Sequence, residues 1–320
     1  MGKKNLKAQL NYAVQTCFKG NANINGGFGS SKHSDKASGS KNGKIYSWSS
    51  FHSRQDTACQ FAGFVKENYP EVRNANQLTA EMAEAFLLSK AGTCTTETLD
   101  CYRSNLSSLG ENINRTYSSA HVNLSVSKVV GTTANQESRC KPMSTEHIAM
   151  LRDSYKQGST GHTAVTLAAC AGCRASEIVR LKGENIEIKS STHATVFIKG
   201  GKGNRDRTIT VTNPSSVSAL ADIKSRAADN QRIVDCKVGS IQKSINRHMT
   251  QLSDSSGGCL KDFYSYTGLH AIRKNFAQQE YDRYRENHSR KESLDYVSTQ
   301  LGHGENRDIA TLQRYIANIY

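Results

Sequence analysis

The chain has 320 residues, enough for two domains, and its 42 Lys and Arg against 28 Asp and Glu give a net charge of +14 and a pI near 9.4. This cationic excess indicates a polyanionic partner and argues against an enzyme that acts on neutral ligands. No run approaches about 18 apolar residues, and the basic N-terminus precedes no apolar segment, so we expect neither a membrane span nor a secretory signal.

The first 46 residues contain eight lysines and one aspartate, and residues 20–43 are rich in Gly, Ser, Asn and Lys. Such a composition buries little apolar surface, so it predicts a flexible basic arm over residues 1–46. Two roles remain open for this arm, which either binds phosphates or has no specific partner.

Residues 47–133 have apolar side chains at helical spacing and a Thr79 suited to cap a helix, which predicts a helical domain. Residues 134–141 are polar and predict a linker. Ser144 then begins a new helix, and residues 142–320 predict a second domain that is mainly helical, with a small antiparallel sheet.

An arginine stands at the end of an apolar stretch in the second domain. Arg174 follows Gly172 and the apolar residues 165–169 in the segment AGCRASEIVRL. A guanidinium held at the edge of a buried helix requires an anionic partner. Glu177, three residues later, lies on the same helical face and could orient it. Cys170 and Cys173 have the Cys-x-x-Cys spacing, but no second pair or nearby histidine completes a zinc site, so we expect reduced thiols and no metal.

The segment IKGGKGNRDR predicts a β-hairpin between strands at 195–198 and 207–211. Ile209 alternates with threonines in the second strand, and the glycines permit a tight reversal. The hairpin can therefore present Lys202 at its tip as a candidate proton donor, and Lys199 is the competing candidate for that role.

Two further islands, LHAIRKNFA and LGHGENRDIATLQRYI, carry titratable side chains. His270 and Arg273 share a helical face, since they are three residues apart, and His303 follows a glycine at a predicted turn. Tyr315 lies at the edge of an apolar stripe. This position suits a nucleophile, and it equally suits a core tyrosine on an amphipathic C-terminal helix. Tyr320 is the alternative candidate for a nucleophile. The stripe contains Ile309, Leu312 and Ile316.

These side chains together supply two guanidinium forks, an ammonium, two imidazoles and a phenol. Cations aimed at phosphate oxygens stabilise the charge that develops during attack on a phosphodiester. A phenol with a pKa of about 10 becomes a useful nucleophile when neighbouring cations stabilise the phenolate. The set therefore indicates a tyrosine that attacks a phosphodiester in a cationic pocket.

The islands resemble the tyrosine recombinases, the family of phage integrases and Xer-type recombinases. Arg174 stands in the family's Gly-x-Arg-x-Ser-Glu-(Ile/Leu) pattern, His270 and Arg273 form its His-x-x-Arg box, and residues 301–303 read Leu-Gly-His. Tyr315 follows a Thr-containing segment, as the family's nucleophile does. The resemblance covers residues 140–320 closely and 47–133 loosely, and implies a helical core-binding domain followed by the family's catalytic domain.

The resemblance also implies residue roles. Arg174 and Arg273 would clamp the phosphate, and Tyr315 would form a 3′-phosphotyrosine. Lys202 would protonate the leaving 5′ oxygen, His270 and His303 would donate or relay protons, and Glu177 would support the pocket. The basic side chains expected to contact DNA are Lys199, Arg205 and Arg207.

We therefore expect a cytoplasmic site-specific DNA recombinase, either beside a bacterial nucleoid or in a phage's host, that integrates a mobile element without cofactors. Its partners would be double-stranded DNA, three further copies in a tetramer, and accessory DNA-bending or directionality proteins. The alternatives are a type IB topoisomerase and a catalytically silent DNA-binding protein of the same fold. The 30 residues from Arg273 to His303 exceed the spacing of compact relatives, and the charged stretch 281–291 predicts a helix extension or surface loop.

Overall fold

The computed structural model describes residues 5–19, 31–39, 43–132, 141–201, 205–264 and 268–320. The chain divides into two compact units, Met1–Ala134 and Asn135–Tyr320. Each unit has its own core of buried apolar side chains. Within the described ranges, no helix is long and apolar enough to cross a membrane.

The N-terminal unit is helical. Side chains of Asn5, Ser47, Thr79 and Thr95 accept hydrogen bonds from the first turns of four of its helices. The helices are α1 (Leu6–Thr16), α2 (Lys32–Ala37), α3 (Trp48–Asn68), α4 (Ala80–Ala91) and α5 (Thr96–Thr116). Helices α3, α4 and α5 lie in the segment that the sequence predicts to be helical, and Thr79 caps α4 as predicted.

Helix α1 corrects the prediction of a flexible arm over residues 1–46. Leu6, Leu10, Ala13 and Val14 are buried in the core of the N-terminal unit, where α1 packs against α3 and α5. Their spacing is that of one face of a helix. The prediction missed these 11 residues because it rested on the Gly- and Lys-rich composition of the whole segment. Helix α2 also lies in this segment, whereas residues 1–4, 20–30 and 40–42 of the predicted arm lie outside the described residues.

The C-terminal unit surrounds one antiparallel sheet of order β1-β2-β3, in which Val196 pairs with Ile209. The strands are β1 (Ile186–Ser190), β2 (His193–Ile198) and β3 (Arg207–Val211). The helices are α6 (Thr145–Asp153), α7 (Thr160–Ala171), α8 (Ala175–Ile178), α9 (Pro214–Ser225), α10 (Val238–Gln251), α11 (Leu260–Phe263), α12 (Gly268–Arg285), α13 (Arg290–Gln300) and α14 (Ile309–Leu312). The predicted fold class, mainly helical with a small antiparallel sheet, is confirmed.

Helix α7 is the centre of the C-terminal unit. Most of its side chains are buried, and α12 packs along it. The helix ends at Gly172, whose φ of 55° is left-handed and where a Cβ would lie 2.4 Å from the ring of Phe276 on α12. This close approach brings the residue two positions later, Arg174, next to α12.

The last elements differ partly from the prediction. The charged stretch 281–291 extends α12, with Tyr281 buried, and then leads into α13. Of the two structures predicted for it, this is the helix extension. Helix α14 has only four residues, so Tyr315 lies in the turn after it. Ile309 is 45% exposed, and the predicted apolar stripe therefore reduces to Leu312 and Ile316.

Candidate active site

Three predicted side chains surround Tyr315. Its ring centroid lies 5.4 Å from that of His270 and 5.0 Å from that of His303. The guanidinium carbon of Arg273 lies 5.7 Å from the same centroid. The partly buried Tyr315 also packs against the apolar core, which fixes the turn that carries it. Residues separated by as many as 45 positions along the chain thus meet at one phenol.

Arg273 is buried beneath this cluster, with 1% of its surface exposed. Its two terminal nitrogens donate to the carbonyl oxygens of Gly172 and Leu301. Burial, and then the charge of Arg174, lowers the pKa of Arg273 to about 9, so the guanidinium stays charged at neutral pH. Backbone carbonyls carry no net charge, which leaves this cation able to attract an anion such as a phosphate.

Arg174 precedes α8 and points toward the same carbonyl. Its Nη2 donates to the oxygen of Leu301 over 3.1 Å and lies 3.4 Å from Nε2 of His303. Its Nη1 donates to Glu177 over 2.8 Å. Since Arg273 also donates to Leu301, one carbonyl oxygen holds two guanidinium groups side by side.

Glu177 is the buried anion of the site, with 1% of its side chain exposed. Its carboxylate accepts from the side chain and the backbone N–H of Arg174, each over 2.8 Å, and from both terminal nitrogens of Arg207. Burial alone would raise the pKa of Glu177, but the hydrogen bonds and charge of Arg207, the backbone hydrogen bond from Arg174 and the charge of Arg273 lower it to about 2. The carboxylate is therefore ionised at neutral pH, as a supporting residue for Arg174 must be.

Arg207 is neutralised by the buried carboxylate of Glu177, whereas Arg273 binds only uncharged carbonyls at its terminal nitrogens, and this corrects the prediction that Arg207 contacts DNA. Its side chain is 7% exposed, its Nη atoms donate to Glu177 over 2.8 and 2.9 Å, and its Nε donates to the carbonyl of Gln300 over 3.0 Å. Sequence reasoning missed this inward role because the partner lies 30 residues away on another element. Because the sequence already pairs Glu177 with Arg174, it contains no signal for a second guanidinium partner.

The other basic residues of the hairpin are Lys199, Lys202 and Arg205. Lys199 and Arg205 are exposed at its two ends and stay predictions as DNA contacts. Lys202 belongs to residues 202–204, outside the described part of the chain, and its role as proton donor stays a prediction too.

Among the described residues, the site presents cations and no cluster of metal ligands. In the described ranges, no group of three or more His, Cys, Asp or Glu side chains could hold a metal ion. Burial raises the pKa of Cys173 to about 12, so this thiol is a neutral packing residue beside Arg174 at neutral pH.

No protein-family model matches the chain, and no curated protein matches it. Solved structures do. A XerH site-specific recombinase bound to its palindromic difH substrate is 16% identical, with a TM-score of 0.59 over 97% of this chain and 90% of that chain. A lambda integrase tetramer bound to a Holliday junction is 12% identical, with a TM-score of 0.58 over 98% of this chain and 79% of that chain. The Tn1549 transposon integrase, bound to a circular intermediate DNA, is 12% identical, with a TM-score of 0.57 over 98% and 95%.

The chain has the tyrosine-recombinase fold. The motif resemblance is thereby confirmed at the level of the fold. Within this tyrosine-recombinase fold, Arg174, His270, Arg273, His303 and Tyr315 lie together in one cluster of the C-terminal unit. That cluster combines a phenol, two imidazoles and two fixed cations, which can bind a phosphate and stabilise its pentavalent transition state.

Proposed function

We propose that this protein is a site-specific DNA recombinase that cleaves and rejoins DNA through a 3′-phosphotyrosine at Tyr315. The observation that carries the proposal is the gathering of His270, His303 and Arg273 within 5.0–5.7 Å of the Tyr315 ring. A core tyrosine needs no such neighbours. A tyrosine nucleophile does, because cations and proton-relaying imidazoles favour its ionised form and the charge it transfers.

In the proposed reaction, Arg174 and Arg273 hold the non-bridging oxygens of the scissile phosphate. The Tyr315 oxygen forms a bond to phosphorus while the bond from phosphorus to the 5′ oxygen breaks. The phenol proton leaves through a histidine, and Lys202 protonates the 5′ oxygen. The ester retains the energy of the cleaved bond, so a 5′ hydroxyl of the partner strand can reverse the step without nucleotide hydrolysis.

The structural relatives supply the substrate class of the proposal. XerH is bound to its difH substrate, lambda integrase to a Holliday junction and Tn1549 integrase to a circular intermediate DNA. By analogy we assign double-stranded DNA to this chain, with four copies assembled on two duplexes and accessory bending proteins where the site needs them. Two of the three relatives are integrases, which favours integration of a mobile element.

The test uses a pool of duplexes with randomised sequence and a nick one to three base pairs from each candidate scissile phosphate. Cleavage next to the nick releases a short strand and leaves the protein joined to DNA. Complexes that survive detergent are collected on a filter and sequenced. The proposal predicts that covalent complexes form and share a sequence.

Two further outcomes separate the alternatives. A catalytically silent DNA-binding protein would enrich a sequence without surviving detergent. A topoisomerase would form the adduct but would only relax supercoils in a plasmid that carries two copies of the recovered site. The recombinase should exchange the strands between those two copies and so change the restriction pattern.

A further inference from the structure

Arg207 lies in a slot between three segments of the candidate active site. Its two terminal nitrogens bind both oxygens of Glu177, and its Nε binds the carbonyl of Gln300 at the end of α13. Two glycines form the walls of the slot. A Cβ at Gly201 would lie 3.0 Å from Nη1 of Arg207, and one at Gly302 would lie 3.0 Å from both its Cδ and its Nη1. No larger side chain fits at either position without moving the guanidinium.

Each of the three residues around Arg207, namely Glu177, Gly201 and Gly302, adjoins a proposed catalytic group. Glu177 binds Arg174 directly. Gly302 separates Leu301, whose carbonyl holds both Arg174 and Arg273, from His303. Gly201 immediately precedes Lys202 in the hairpin. Arg207 therefore contacts Glu177, which binds Arg174, and also lies against Gly302 and Gly201.

We propose that Arg207 is a positioning residue, which sets the orientation of Arg174, the 301–303 loop and Gly201 through one guanidinium. The proposal rests on the proposed function, and it assigns no contact between Arg207 and DNA. A planar fork suits this task because its two parallel hydrogen bonds fix both distance and angle. Lysine could keep the charge but could not hold the carboxylate and the Gln300 carbonyl in one plane.

The same contacts balance the charge of the pocket. Glu177 is a single buried anion between Arg174 and Arg207, and Arg273 lies nearby. Without Arg207, the full charge of Glu177 would act on Arg174 and compete with the phosphate for its fork. Loss of Arg207 should therefore lower the rate of the chemical step and leave affinity for DNA unchanged.

The test compares Arg207→Met, Arg207→Lys and a surface control, Arg232→Met, whose guanidinium is exposed and 3.8 Å from Asp235. Single-turnover adduct formation is measured at saturating nicked duplex. We expect Arg207→Met to slow it by about 100-fold, the scale for displacing a reacting group by about 1 Å. Arg207→Lys should recover part of that loss, and the Kd for DNA should not change. A raised Kd with a normal rate at saturation would show a DNA contact and overturn the proposal.

A double variant tests whether Arg207 acts through Glu177. If it does, Glu177→Gln with Arg207→Met should be about as slow as the slower single variant, because both changes break one unit. Multiplied losses would mean that the two residues act independently, which contradicts the proposal.

Amide hydrogen exchange gives a readout that requires no cleavage. The amides of Gly201, Gly302 and His303 donate to the carbonyls of Arg205, Thr299 and Ser298 over 2.8, 2.9 and 2.8 Å. Arg207→Met should speed exchange in peptides that contain these amides and not in the N-terminal unit. Unchanged exchange would overturn the positioning role even if cleavage falls. A wild-type protein that forms no adduct would instead overturn the proposed function, while exchange still decides whether Arg207 holds these segments.

Discussion

At the scale of single residues, the site depends on a cation that the fold keeps away from water. Arg273 is 1% exposed, yet its partners at the terminal nitrogens are two neutral carbonyl oxygens. Burying a charge with only such partners is costly for stability. The cost is consistent with a group held ready for a phosphate, since a purely structural position would favour an apolar side chain.

Replacing Arg273 by lysine should slow adduct formation by about 100-fold or more, the effect of losing one preorganised donor to developing charge. Charge is retained, but the fork that binds Gly172 and Leu301 is lost. The control is Arg283→Lys on the same helix, where the guanidinium pairs with Glu280 at 2.6 Å. Rates are compared at saturating nicked duplex after thermal unfolding shows that both variants fold. Equal rates for wild type and Arg273→Lys would make Arg273 structural.

The proton donor can be tested through the leaving group. Lys202→Ala should cleave an ordinary phosphodiester slowly but a 5′-bridging phosphorothiolate at nearly the wild-type rate, because a sulfur leaving group needs little protonation. Lys199→Ala is the matched control on the exposed side of the same hairpin. Rescue of Lys199→Ala and not of Lys202→Ala would transfer the role to Lys199.

At the scale of elements, helix α1 is the clearest departure from the sequence-based prediction. Its four buried residues complete the core that α3 and α5 leave open. Composition alone suggests that residues 1–46 are a tail that could be deleted without effect. Because α1 is part of the core, their removal should instead unfold the N-terminal unit.

Leu10→Ala should destabilise the N-terminal unit by about 2–5 kcal/mol, the range for a large-to-small change in a packed core. Leu10 is 0% exposed. Lys7→Ala on the exposed face of the same helix should change the free energy of unfolding by less than about 0.5 kcal/mol. Urea unfolding of the full chain measures both. Equal stabilities would mean that α1 does not contribute to the core.

The elements also show why some of the site could be predicted and some could not. The hairpin strands, the Ser144 and Thr79 caps and the helix carrying His270 and Arg273 follow from local periodicity and capping, and the structure has them. Arg207 pairs with a carboxylate 30 residues away, and no local spacing contains that information. The turn at Tyr315 was missed because a stripe of three apolar residues suggests a longer helix than the four residues of α14.

At the scale of the whole molecule, the positive charge is unevenly distributed along the chain. Residues 1–46 have eight Lys and one Asp, residues 47–134 have seven basic and eight acidic side chains, and residues 135–320 have 27 basic against 19 acidic. The middle segment is thus close to neutral. Attraction to phosphates should come from the two ends of the sequence.

Neutralising exposed lysines of the first segment should flatten the salt dependence of DNA affinity. For every phosphate that a lysine no longer neutralises, the slope of log K against log salt should fall in magnitude by about 0.9. The variant replaces with glutamine the exposed residues Lys7, Lys32 and Lys36. A matched variant replaces three exposed residues of the near-neutral segment, Lys66, Arg73 and Lys128. If the two variants have the same slope, the first 46 residues have no special role in binding.

The proposed chemistry of the whole molecule depends on one oxygen atom. Tyr315→Phe removes only that atom, whereas Tyr320→Phe removes the hydroxyl of an exposed tyrosine five residues later, 3.4 Å from Asp282. Both variants and the wild type are incubated with the nicked duplex recovered from the pool, and covalent complexes are counted on a denaturing gel. We predict adducts for the wild type and Tyr320→Phe, and none for Tyr315→Phe, with equal DNA binding by all three. An adduct formed by Tyr315→Phe would contradict the assignment of Tyr315 as the nucleophile.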